Sequence, residues 1–241
     1  MRISVVIPAF NEQGLLGRTL QSVGEAAAAF EGRGWEVEVV VCDNNSTDAT
    51  ARIAQAAGAR VVFEPVNQIA RARNRGAAAA TGDWLVFVDA DSYPTRGLFD
   101  EVAVHICSGR CVAGGSTLRM ERPGRIGRWL LIAWNLISRL ARWPAGAFLF
   151  VDTDAFRAVG GFNQALYVAE EIEFIRRVQR LARPQGRRVV ILHRHPLLTS
   201  DRKLRLYGPM EHLRFWWRAV KSPRRTLTSR EACPVWYDGR R

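Results

Sequence analysis

The chain has 241 residues, enough for one large domain with a full core, and its 35 Lys and Arg against 23 Asp and Glu leave a net charge of +12. Its 48% hydrophobic content, with no low-complexity, repeated or Ser/Gly-rich tract, excludes a disordered chain, a repeat array and domains strung on linkers. The basic excess calls for a negatively charged partner: a phosphorylated substrate, an anionic lipid surface or nucleic acid.

Met1-Arg2-Ile3-Ser4-Val5 opens directly into a strand, so no signal peptide is expected, and no apolar run reaches membrane-spanning length. Ile3 to Ile7 is a continuous apolar run, as in a strand buried on both faces, and Pro8 is expected to stop it. A helix rich in Ala and Leu follows from Leu15 to Phe30. Glu36 to Cys42 reads as a second strand ending at Asp43. Asn44-Asn45-Ser46-Thr47-Asp48 is a turn whose Ser46 or Thr47 can cap a helix over Ala49 to Ala57, closed by Gly58. Arg60 to Phe63 is a third strand, Ile69 to Ala80 an Ala-rich helix closed by Gly82, and Trp84 to Val88 a fourth strand. Strands alternating with helices predict right-handed crossovers and a mainly parallel sheet with helices on both faces. The loop after the first strand, Pro8-Ala9-Phe10-Asn11-Glu12, has none of the glycines of a dinucleotide-binding turn.

The fourth strand ends in Asp89-Ala90-Asp91. Residues two apart on an extended strand share a side, so both carboxylates are expected to point beyond the strand's carboxyl end, where open α/β sheets bind ligands. Two hard oxygen donors there suit Mg²⁺ or Mn²⁺ held together with substrate phosphates. The four cysteines (Cys42, Cys107, Cys111 and Cys233) are scattered. Cys107 and Cys111 have helical spacing without a second ligand pair, so reduced cytoplasmic thiols are expected rather than a zinc site.

Val5-Val6-Ile7-Pro8-Ala9-Phe10-Asn11-Glu12, Asp43-Asn44-Asn45-Ser46-Thr47-Asp48, Ala72-Arg73-Asn74-Arg75-Gly76 and Asp89-Ala90-Asp91, in this order, closely resemble the family 2 glycosyltransferases. Gly146-Ala147-Phe148, Gly160-Gly161-Phe162 and Ala169-Glu170-Glu171-Ile172-Glu173-Phe174 extend the resemblance more weakly, and it fades beyond about residue 185. The resemblance implies an inverting enzyme of the GT-A fold, a Rossmann-like α/β/α sandwich, using a nucleotide-diphosphate sugar. It implies nucleotide-sugar contacts at Pro8, Ala9, Glu12, Asp43, Arg73 and Asp89. Asp91 is implied as the direct metal ligand, Asp89 is divided between ribose and metal, and a late histidine, here His195, can complete that site. Ser200 and Arg202 fit a lid over the diphosphate. On this reading residues 1–92 form the nucleotide half, 93–205 the acceptor half and 206–241 a basic extension of one domain.

Inverting transfer needs a base that takes the acceptor's proton on the face opposite the leaving group. The family usually supplies an Asp from a Glu-Asp pair at a helix start. Here the pair is Glu170-Glu171, so Glu171 is the expected base, one methylene longer than usual, and Glu170 the alternative. Between Pro123 and Pro144 the chain reads as one helix, with Arg125, Arg128, Asn135, Arg139 and Arg142 on one side. Trp129, Ala133, Leu136, Ile137 and Leu140 lie on another side, the composition of a helix lying in a membrane interface. Met210 to Lys221 repeats that pattern. Because the arginines sit on Trp-bearing amphipathic helices, no nucleic-acid partner is expected. The function read from the sequence is sugar transfer to a lipid-linked or glycan hydroxyl on the cytoplasmic face of a membrane. The alternatives are a degenerate membrane-associated binding protein and a sugar-1-phosphate nucleotidyltransferase, although the Gly-rich first loop of the latter is absent.

Overall fold

A single eight-stranded sheet in strand order β3-β2-β1-β4-β7-β6-β8-β5 organises the chain in a computed structural model that describes residues 1–202, 206 and 226–232. The strands are β1 (Arg2–Ala9), β2 (Glu36–Asp43), β3 (Arg60–Phe63), β4 (Trp84–Val88), β5 (Ser92–Tyr93), β6 (Cys111–Met120), β7 (Phe148–Asp152) and β8 (Arg188–Thr199). The helices are α1 (Leu16–Glu31), α2 (Thr50–Ala56), α3 (Ile69–Ala79), α4 (Arg96–Cys107), α5 (Arg125–Ala141), α6 (Thr153–Ala158) and α7 (Glu170–Ala182).

Alternation along the central strands builds two cores. Ile3, Val5 and Ile7 of β1, with Trp84, Val86 and Val88 of β4, pack against Leu16, Leu20, Val23 and Phe30 of α1 and Phe99 and Val102 of α4. Val6, Leu85 and Phe87 face the other way, towards Ala70 and Ala77 of α3, Phe156 of α6, and Phe174, Ile175 and Val178 of α7. The result is the three-layer α/β/α sandwich the motif order implies. Strands β1, β2, β3 and β4 are parallel, and β6 pairs parallel with β8, whereas β7 is inserted antiparallel to both β4 and β6.

Several local expectations change. Strand β1 continues through Pro8 and Ala9, which pair with Cys42 and Asp43. Its pairing with β4 ends at Val6, so Pro8 lies where only one neighbour needs ladder bonds, and a missing N–H is tolerated. Neither Ser46 nor Thr47 caps α2. Ser46 Oγ instead accepts from Asn11 N–H (3.0 Å), and Asp48 Oδ1 accepts from Thr50 N–H (2.9 Å). Cys107 ends α4 while Cys111 starts β6, so their helical spacing is not realised, and Cys42, Cys107 and Cys111 are free thiols. Strand β8 runs on past Leu192 and carries His193 and His195 within it. The second amphipathic pattern, Met210 to Lys221, and Cys233 lie outside the described residues.

Candidate active site

The carboxyl ends of β1 and β4, the first turns of α3 and α7 and the length of α5 enclose a cleft of about 760 Å³. Its lining includes Pro8, Ala9, Glu12, Asn44, Arg73, Asp89, Asp91, Glu170 and Glu171. Eight sequence-selected residues (Pro8, Ala9, Glu12, Arg73, Asp89, Asp91, Glu170 and Glu171) therefore converge on one cavity although they lie far apart in the chain.

Loop contacts fix the first two motifs. Asn11 and Asn45 adopt left-handed backbone (φ 51° and 65°), a conformation asparagine tolerates, and Asn11 Oδ1 accepts from Thr47 N–H at 2.8 Å. Buried Asn44 holds the loop after β3: its Oδ1 accepts from Gln68 N–H (2.9 Å) and its Nδ2 donates to Val66 O (2.6 Å). Asp43 is buried too, but its Oδ1 accepts from Ser46 N–H at 3.1 Å, and Asp43 is not among the residues lining the cleft. The expected nucleoside contact is thus placed as the clasp of its own turn, and Asn44 takes the lining position.

Asp89 and Asp91 reach the cleft by a different route from the one their spacing suggests. Strand β4 ends at Val88, and Asp89-Ala90-Asp91 forms a turn closed by Ser92 N–H donating to Asp89 O (3.1 Å). The Asp91 carbonyl in turn accepts from Ser200 N–H (3.0 Å), which ties the turn to the end of β8. Two carboxylates suit Mg²⁺ or Mn²⁺, which bind through one or two protein carboxylates and take their remaining ligands from phosphate and water. Among the described residues no cluster of three or more His, Cys, Asp or Glu forms a self-sufficient metal cage. His195 is not brought to this site. It is half exposed, its Nδ1 lies 2.6 Å from Glu101 Oε1 of α4, and it is absent from the cleft wall. Strand alternation on β8 turns it towards α4, a correction to its expected metal role.

Arg73 is the hub. Its guanidinium, 3% exposed, donates to Glu170 Oε1 (2.6 Å), Asp89 Oδ1 (3.1 Å) and Gly146 O (2.8 Å). It therefore links Asp89 to the start of α7 instead of standing free for a diphosphate. The motif around it explains its placement. A side chain at Gly76 would collide with Val6, so glycine there lets α3 press against β1. Asn74 clasps the backbone of Phe162 through both its amide nitrogen and its amide oxygen (2.8 Å each). Arg71 pairs with Glu64 (3.0 Å), outside the cleft.

Arg73 engages Glu170, and among the described residues no cation forms an ion pair with the neighbouring Glu171. Burial first, and the Glu170 charge second, push the Glu171 carboxyl up to about 8, only partly offset by Arg73. Burial also raises Glu170, against the opposing pull of Arg73. The N-cap of α7, Ala169, has φ 63°, a left-handed conformation costly for a residue with a Cβ. Such strain persists where surrounding structure over-determines it, as at this cleft.

Arg202, expected in a lid over the diphosphate, donates to Glu12 Oε1 (2.5 Å) and lies 3.7 Å from Asp91 Oδ2, partners that its sequence position did not indicate. Asn135, expected on the solvated arginine face, instead pairs with the backbone of Leu118: Leu118 N–H donates to its Oδ1 and its Nδ2 donates to Leu118 O, both at 2.9 Å. Ser138 Oγ donates to Trp143 O (2.6 Å), a local bond that closes the C-terminal end of α5, so Asn135 is the side chain that ties α5 to β6.

Residues 4–157 match the family model described as glycosyl transferase family 2, well over half of the chain. The chain belongs to glycosyl transferase family 2. Among curated relatives of this family 2 protein, a validoxylamine A glucosyltransferase of Streptomyces hygroscopicus subsp. jinggangensis is 38% identical over 93 residues, 36% of this chain and 21% of that protein. Among solved structures, a mannosyltransferase of Pyrobaculum calidifontis in complex with GDP-Man and Mn²⁺ superposes with TM-score 0.68 at 18% identity, over 98% of this chain and 67% of that one. TarS 1-349 of S. aureus in complex with UDP gives TM-score 0.66 at 19% identity, over 83% of this chain and 60% of that one. At these identities the structural likeness is one of fold, and it is the GT-A fold. The family 2 chain spans about a fifth of the curated glucosyltransferase's length.

Proposed function

We propose that this protein is an inverting, metal-dependent glycosyltransferase. It moves a sugar from a nucleotide-diphosphate donor to a hydroxyl of a lipid-linked or glycan acceptor, on the cytoplasmic face of a membrane. The observation that carries the reading is that Asp89, Asp91 and Glu171 line one cleft, with Arg73 bonded to both Asp89 and Glu170. Glu171, which lines the same cleft as the Asp pair, accepts the proton of the acceptor hydroxyl. The acceptor oxygen forms its bond to the anomeric carbon as the bond to the diphosphate breaks, and the nucleoside diphosphate leaves with the electron pair. Asp91 and Asp89 would hold Mg²⁺ or Mn²⁺, which neutralises charge on the departing diphosphate. Pro8, Ala9, Glu12 and Asn44 line the part of the cleft that suits base and ribose, and Arg73 holds Asp89 and Glu170 in place.

The membrane assignment is supported by α5. Trp129 and Leu140 on its outer face are 73% and 77% exposed, beside Arg125, Arg128 and Arg139. Among the described residues no helix is long and apolar enough to cross a membrane, so the contact proposed is interfacial.

Calorimetry with UDP-, GDP- and dTDP-sugars, with and without Mn²⁺, tests the reading. At least one donor should bind in a Mn²⁺-assisted manner, and Asp91→Ala should abolish that assistance. Mn²⁺-assisted binding that persists in Asp91→Ala refutes the metal site.

A further inference from the structure

The cleft holds more apolar wall than a nucleotide sugar can use. Away from the carboxylates it is built from Leu118 and Met120 of β6, Leu131, Trp134 and Ile137 of α5, and Trp143. These side chains are not the only hold on α5, because Asn135 ties the helix to the Leu118 backbone of β6. Ile137 remains 47% exposed and Leu130, on the same inner face, 60% exposed, although both border the cleft. A glycan acceptor needs hydrogen-bond partners for its hydroxyls. The inner face of α5 supplies only aliphatic carbon and indole, which match a methylene chain. The helix's charge fits the same class of molecule. Arg125 and Arg128, with Trp129 and Ile132, line a second open pocket on its outer side, where an anionic headgroup region would meet them.

Resting on the transferase reading above, we propose that the acceptor is a hydroxyl-bearing lipid whose hydrocarbon chain lies between the inner face of α5 and the end of β6. In that position its hydroxyl is presented to Glu171. The same helix then serves two contacts: its outer face rests on the lipid surface and its inner face receives a chain drawn from it. A phosphate-oxygen nucleophile would need no base, so the presence of Glu171 in the same cleft selects an alcohol.

Two measurements separate this proposal from the reading it rests on. First, 11-(dansylamino)undecanoic acid is titrated into the full chain below its aggregation threshold. A saturable fluorescence rise is expected, with Kd raised about tenfold by Ile137→Asn, the size of effect given by one or two buried methylenes. Trp129→Gln, on the outer face, should shift Kd less than twofold. Second, transfer is measured to n-alkyl glucosides from butyl to decyl, each below its micelle concentration. KM should fall with chain length by up to about fourfold per methylene buried, and Ile137→Asn should flatten that dependence. Metal-dependent hydrolysis of the donor without acceptor is followed in parallel. Donor hydrolysis with no probe binding and a flat chain-length series overturns the lipid acceptor and leaves the transferase intact. Probe binding that responds to Ile137→Asn, without donor hydrolysis or transfer, overturns the transferase reading and leaves the apolar subsite standing. A soluble oligosaccharide used better than decyl glucoside also overturns the proposal.

Discussion

Replacing Arg73 by Met removes one partner of an ion pair whose side chains are 3% and 5% exposed, and the consequence can be worked out in sign and size. Glu170 Oε1 loses a 2.6 Å charge-assisted bond and Asp89 loses one of 3.1 Å. Methionine fills most of the space and keeps the apolar stem, so the packing loss is small. What remains is a buried carboxylate without its cation, which costs about 3–5 kcal/mol. For a domain of this size about 2–4 °C of Tm goes with each kcal/mol, so a drop on the order of 6–20 °C is expected at pH 8. The pH dependence discriminates. Without Arg73 the Glu170 carboxyl, already raised by burial, takes up a proton more readily, and a neutral carboxyl is far cheaper to bury. The destabilisation should therefore be distinctly smaller at pH 5.5 than at pH 8. Urea denaturation followed by tryptophan fluorescence at both pH values measures it. Arg73→Met with Glu170→Leu should recover part of the loss, because no unpaired charge is then left on α7. A cost below about 1 kcal/mol at pH 8, or an equal cost at both pH values, refutes the hub role.

Other outcomes follow from the same geometry. Glu171→Gln should lower transfer about 10²–10⁴-fold at saturating donor, whereas Glu170→Gln should act mainly on stability; the reverse order in a transfer assay would move the base by one residue. With Glu171 held at about 8, kcat/KM should rise with pH to a midpoint near that value, and an acid-side optimum in the pH profile would contradict it. The same shift makes the native state keep a proton that the unfolded chain releases near 4.5, so its stabilising share is complete below pH 4.5 and lost as pH rises through about 8. Glu171→Gln, which cannot titrate, should flatten the fall in Tm between pH 5 and 9. Replacing Arg125, Arg128, Arg139 and Arg142 together by Gln should weaken binding to phosphatidylglycerol vesicles at least about tenfold, at roughly 1 kcal/mol for each charge near the surface; co-sedimentation that is equal on neutral and anionic vesicles argues against interfacial docking. Asn74→Ala should cost about 1–3 kcal/mol in chemical denaturation by leaving the Phe162 backbone unpaired, and a loss of only a few tenths would show that the clasp is dispensable.

The local sequence by itself determined β1 to β4 and the helices between them, because apolar runs, caps and 3.6-residue periodicity act over a few neighbours. It also placed Asp89 and Asp91 at the end of β4 and Glu170 and Glu171 at the start of a helix. Which partner each of those groups meets was decided only by tertiary structure. Arg73 lies 97 positions from Glu170 and Arg202 lies 190 from Glu12, separations at which side-chain spacing carries no information. The antiparallel entry of β7 between β4 and β6 has no local signature, yet it brings Gly146 to Arg73 and Ala147 O to the Asp89 N–H (3.1 Å). His195 and Asn135 went the other way, drawn off by Glu101 and by the Leu118 backbone. The choice between Glu170 and Glu171 shows why. Adjacent residues on a helix differ by about 100° in direction, and a single buried guanidinium arriving from α3 claims one carboxylate and leaves its neighbour with the raised proton affinity.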